Sequence, residues 1–163
     1  MLGRLFFLFG ILGLAACSNG APDLVIAELS INPPSVAVGD AVVVASAIAN
    51  DGDGAVVAPD GFPFRVTTEL TLTSVATAAT DTLLTTWRTD ADQPLNPDDV
   101  VRNTVSISVP RFIAAGPYDI CATVEPTGSI NDSEPRNNQR CVPLTVLAAV
   151  SYTHLTLPTI YSV

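Results

Sequence analysis

The chain has 163 residues, with 16 acidic and 7 basic side chains and a formal charge of −9. A pI near 4.2 excludes electrostatic binding of nucleic acid or anionic lipid heads and leaves cation binding open. The length fits one domain with a real core, once a short leading segment is set aside.

That leading segment comes first in the chain. Met1-Leu2-Gly3-Arg4 carries one positive charge, and Leu5 to Leu14 is a Phe- and Leu-rich apolar run. The run is too short for a spanning helix, which needs roughly 20 apolar residues. Its layout is that of a secretory signal. The run ends in Leu14-Ala15-Ala16-Cys17, which resembles the lipobox of bacterial lipoproteins. The resemblance implies cleavage before Cys17, lipidation of Cys17, and an extracytoplasmic protein anchored to a bacterial membrane. Ser18 is compatible with outer-membrane sorting in that family, so the outer membrane or the cell surface is the expected location. An ordinary cleaved signal with an incidental cysteine is the alternative. Residues 17–22 then form a short tether, and the domain is expected over 23–147.

Apolar residues in the body recur with period two or in short runs, and no stretch holds a helical period for three turns. Leu24 to Ile31 aligns Leu24 and Ile26 and, after a shift, Leu29 and Ile31; Asn32-Pro33-Pro34 ends it. Val36 to Asp40 leads into Ala41 to Ile48, a Val/Ala run suited to a buried strand. Asn50-Asp51-Gly52-Asp53-Gly54 reads as a turn. Phe64 to Leu72 alternates with Phe64, Val66, Thr68, Leu70 and Leu72 inward. Thr82 to Arg88 is a further strand and carries Trp87, a candidate for core packing. Leu95 to Asp99 is a turn before Val101 to Val109, where Val101, Asn103, Val105, Ile107 and Val109 share a face.

The last two strands contain Cys121 and Cys141. In Tyr118 to Val124 the apolar face is Tyr118, Ile120, Ala122 and Val124, so Cys121 lies opposite. In Cys141 to Val146 the apolar face is Val142, Leu144 and Val146, so Cys141 also points outward. Antiparallel neighbours would bring the two sulfurs together on the outer face. With Cys17 lipidated, an even pair remains, as a disulfide in an exported protein requires. Free thiols are the alternative, and no histidine lies near enough for a metal site of the usual kind.

Seven strands separated by turn signals predict an all-β fold, a seven-stranded antiparallel immunoglobulin-like β-sandwich after a lipoprotein signal peptide. The residues also match a family. Pro22-Asp23-Leu24-Val25-Ile26, Val38-Gly39-Asp40 and Ala49-Asn50-Asp51-Gly52 are followed by Gly116-Pro117-Tyr118, Val124-Glu125 and Asn131-Asp132-Ser133-Glu134-Pro135-Arg136-Asn137-Asn138. This series resembles the CARDB domain, a cell-adhesion-related module, over about Ala21 to Leu147. The resemblance implies a β-sandwich that binds a protein or polysaccharide. The cysteine pair and the connection from Ala58 to Pro63 depart from it.

Catalytic signals are missing from the sequence: no Gly-x-Ser-x-Gly elbow, no phosphate-cradling glycine loop, and no histidine before His154. Asp98 and Asp99 read as turn residues. No cofactor is expected except calcium, for which Asn131, Asp132, Glu134, Asn137 and Asn138 offer oxygens in one loop. Asn50, Asp51 and Asp53 echo a calcium loop without its regular spacing or its terminal glutamate.

Residues 148–163 form a distinct tail. Val150 to Thr159 resembles the conceptual translation of a transposase sequencing adapter. That implies an interrupted natural frame near Ala149, with His154 outside the natural protein. The expected function is therefore a membrane-anchored, non-enzymatic binding module. The alternative is an N-terminal accessory or spacer domain of a longer exported enzyme.

Overall fold

A computed structural model describes residues 20–76, 81–90, 93–128 and 130–148. Eight strands account for its regular structure: β1 (Leu24–Asn32), β2 (Ser35–Ala37), β3 (Ala41–Asn50), β4 (Phe64–Ser74), β5 (Thr82–Asp90), β6 (Val100–Ser108), β7 (Gly116–Pro126) and β8 (Gln139–Leu147). They form a three-stranded sheet in the order β1-β3-β6 and a five-stranded sheet in the order β2-β8-β7-β4-β5. Among the described residues no helix is long and apolar enough to cross a membrane.

The core lies between the sheets, where the alternating residues meet. Leu24, Ile26, Val42, Val44, Ile48 and Ile107 come from one sheet; Val66, Leu70, Leu72, Ile120, Val124, Leu144 and Val146 come from the other. The shift of phase in the first strand is a β-bulge between Ile26 and Glu28, which returns Leu29 to the core side. Trp87 packs against this core and is half-buried.

Two expectations are corrected. Among the described residues the strands number eight, not seven, and the sandwich is not antiparallel throughout: β2 pairs with β8 in parallel, Val36 opposite Val146. The reason lies at Pro33-Pro34, joined to Asn32 through a cis peptide bond. Neither proline has an N–H to continue the β1–β3 ladder. The chain leaves that sheet there and joins the other, where the Pro34 carbonyl accepts from Thr145 N at 3.0 Å. Three residues are too few to display alternation in sequence.

A second bulge falls at Arg65. Phe64 pairs with Asp90 and Val66 with Thr89, which leaves Arg65 as the extra residue. Arg65 and Val66 are consequently buried in succession, although strict alternation would have put Arg65 outside.

Candidate binding surfaces

The oxygen-rich loops predicted from sequence meet at one end of the sandwich, around the segment that enters β1. Asn50 closes β3 and is fully buried. Its Oδ1 accepts from Asp23 N at 3.1 Å and from Gly52 N at 3.2 Å. Its Nδ2 donates to Gly54 O at 2.7 Å and to Leu95 O at 3.0 Å. All four side-chain hydrogen-bonding positions are thereby used. Asp51 N donates to Asp23 O, and Gly54 N donates to Ala21 O. A Cβ on Gly52 would collide with the backbone of Ala21 and Asp23, and one on Gly54 with the Gly20 carbonyl. The glycines let the two backbones lie against each other. The expected turn at residues 50–54 is present, and it also grips the incoming chain.

The loop between β7 and β8 holds the same segment from its other side. Asp132 Oδ2 accepts from Leu24 N at 3.3 Å and Asn138 Nδ2 at 3.0 Å, while Oδ1 accepts from Glu134 N at 3.0 Å. Ser133 N donates to Pro22 O at 2.8 Å, and Asn137 Nδ2 donates to Asp23 Oδ1 at 3.0 Å. Asp132 thus serves the fold directly. Asn131 and Glu134 are exposed. Asn138 is 6% exposed, and both its Oδ1 and that of Asn137 are buried without a hydrogen-bond partner. Among the described residues, no group of three or more His, Cys, Asp or Glu side chains could hold a metal ion.

Beside this clasp lies a cleft of about 580 Å³, bounded by Gly20, Pro22, Val57, Pro59, Ile130 and Asn131. Exposed Val57 and Phe62 sit on the β3–β4 connection nearby. That connection is tied to the β5–β6 loop by a short antiparallel bridge, Val56 with Leu95. The turn at Asp98 and Asp99 is as expected: Asp99 Oδ2 accepts from Asn96 N at 2.7 Å, and Asp98 is left-handed at φ 66°.

Cys121 and Cys141 stand directly opposite in β7 and β8 and form a disulfide, with sulfurs 2.02 Å apart. Thr71 of β4 lies on the other side of Cys121. Cys17 and the tail from Val150, His154 included, lie outside the described residues.

The CARDB family model matches residues 21–142, most of the chain. The chain belongs to the CARDB family. CARDB domains are adhesion-related modules and not a catalytic family. Two CARDB domain structures from Pyrococcus furiosus share the fold. The crystal structure, of a domain in complex with di-metal ions, has a TM-score of 0.55 at 20% identity, covering 78% of this chain and 90% of that one. The solution structure has a TM-score of 0.52 at 22% identity, covering 78% and 96%. A sporulation control protein of Bacillus subtilis is similar at a TM-score of 0.50 and 11% identity, over 79% of this chain and 50% of its own. No curated protein matches. The CARDB match spans both loops of the clasp. The role of Asn50 escaped sequence reasoning. Its signal was the buried-strand context, a polar residue ending a Val/Ala run.

Proposed function

We propose that this protein is an extracytoplasmic, lipid-anchored CARDB module of a bacterial envelope that binds a protein or polysaccharide and performs no chemistry itself. Cys17 carries the lipid, and acylation by two or more chains gives a stable anchor. The observation that supports the reading most is the clasp on residues 20–24. It begins three positions after Cys17, so the free tether reaches only about 10 Å. The anchor would hold the domain with its clasp and neighbouring cleft toward the bilayer. Membrane fractionation of cells making the wild-type and Cys17→Ala proteins tests this. Wild type is expected with the membranes and the variant in the soluble fraction; a variant that stays with the membranes rejects the anchor.

Calcium is a second reading, supported by the unpartnered buried oxygens of Asn137 and Asn138 beside Asp132. Glu134 and Asn131, on the exposed part of the loop, would complete a set that calcium requires to be six to eight oxygens. Isothermal titration of the protein with calcium is expected to give saturable heat and a raised melting temperature. No heat and no shift end the idea.

A further inference from the structure

Two large apolar side chains stand exposed on the β3–β4 connection, Val57 at 60% and Phe62 at 44%. Single exposed apolar residues are common on protein surfaces. What distinguishes these two is their position. Val57 lines the cleft beside the clasp together with Pro22, Ala55, Pro59 and Ile130, an apolar wall broken by Asp60 and Asn131. Gly20, three positions after Cys17, lines the same cleft.

The connection is held in a fixed frame. Val56 is fully buried, and its backbone exchanges two hydrogen bonds with Leu95, at 2.8 and 3.0 Å. Phe62 N donates to Pro59 O at 3.1 Å, and Gly61 has φ 85°, as the second central position of a type II turn requires. A Cβ on Gly61 would meet nothing within 4 Å, so the turn projects into open space. Gly128, from the β7–β8 loop, supports the turn from beneath. A Cβ there would lie 3.0 Å from Pro59 Cγ and 3.5 Å from Phe62 Cε2. Val57 and Phe62 are therefore displayed without an ordering step to precede their burial.

We propose that the β3–β4 connection rests Val57 and Phe62 in the interfacial layer of a zwitterionic bilayer, the one that holds Cys17. This contact rests on the lipid anchor proposed above and names the surface that meets the membrane. From Cys17 to Gly20 the chain reaches only about 10 Å, so the surface around Gly20 stays close to the lipid. Apolar side chains on an otherwise polar surface gain by lying at the headgroup and acyl boundary. Asp51, Asp53, Asp60 and Glu134 are exposed at the same end of the sandwich. Their charge limits the depth of the contact and opposes an anionic headgroup layer, which leaves a zwitterionic one. Phe112 is more exposed still, at 80%, but follows β6 at the other end of the sandwich. The length of β3, about 30 Å, separates it from the clasp.

Tryptophan fluorescence in vesicles tests the contact. The protein purified from membranes is reconstituted into phosphatidylcholine vesicles, with and without bromine on the acyl chains. Phe62→Trp, Val57→Trp and Phe112→Trp are compared with the parent, whose single tryptophan, Trp87, packs against the core and supplies the background. In vesicle-bound protein, the tryptophans of Phe62→Trp and Val57→Trp are expected to shift to the blue and lose emission to brominated lipid. Phe112→Trp and the parent are expected to do neither. Adding anionic phosphatidylglycerol is expected to weaken the quenching. Bound protein with no quenching in Phe62→Trp or Val57→Trp overturns the proposal and leaves the anchor standing; the cleft would then face water and a soluble partner. Equal quenching in Phe112→Trp overturns it as well, and quenching undiminished by phosphatidylglycerol overturns the choice of headgroup. Protein that does not bind the vesicles at all rejects the anchor, and the contact with it.

Discussion

Asn50 sits at the end of a strand otherwise built from valine, alanine, serine and isoleucine, and it is completely buried. Burial of an amide is tolerated there because two donors and two acceptor positions all have partners. Asn50→Ala would orphan the Asp23 and Gly52 amides and the Gly54 carbonyl together, and would leave the Leu95 carbonyl with Val56 N alone. Several unmet buried groups predict a loss of about 2–4 kcal/mol, read from chemical denaturation. Asn50→Asp keeps the acceptor side and loses the donors, so it should also destabilise. Nothing in the local sequence announces this role. Asn50-Asp51-Gly52 reads as a turn because turn residues and clasp residues are the same types, and the partners lie far apart in the chain. Arg65 was equally hidden. Alternation assigned it outward, and only the extra residue in the β4–β5 pairing turns it in.

The strands were the most legible elements, since their apolar residues alternate, although β3 from Ser46 to Asn50 and β7 from Ile120 to Ala122 are buried in succession. Ile120, Ala122 and Val124 in β7 and Leu144 and Val146 in β8 are buried as their alternation required. The same phase placed Cys121 and Cys141 on the opposite face, and their register in the β7–β8 pair makes the disulfide. The bond closes a loop with a sequence separation of 20 residues. In the chain-entropy model such a loop contributes roughly 3 kcal/mol. The Cys121→Ala/Cys141→Ala double variant is therefore expected to unfold at lower denaturant concentration. Reduction should lower the wild-type midpoint similarly and leave the double variant unchanged. β2 was not legible, because its place depends on the backbone of β8 rather than on its own three residues. The prolines before it mark where β1 stops but not where the chain goes next.

Across the whole molecule, the clasp gathers loops at one end of the sandwich, apart from the core between the two sheets. The separation predicts that Cys17→Ala, which alters only the chain before the clasp, changes membrane partitioning while leaving the melting temperature of the β-domain intact. Sequence by itself determined the all-β class, the inward faces of the long strands, the cysteine pairing and the family. Each rests on short-range periodicity or on a contiguous motif, which a linear chain displays directly. Tertiary structure alone decided the parallel β2–β8 pairing, the grip of two remote loops on residues 20–24, and the burial of Arg65. Those features come from bulges, sheet edges and hydrogen bonds between distant backbones. Their partners are set by how the strands pair, and pairing is a property of the folded sheets rather than of any one segment.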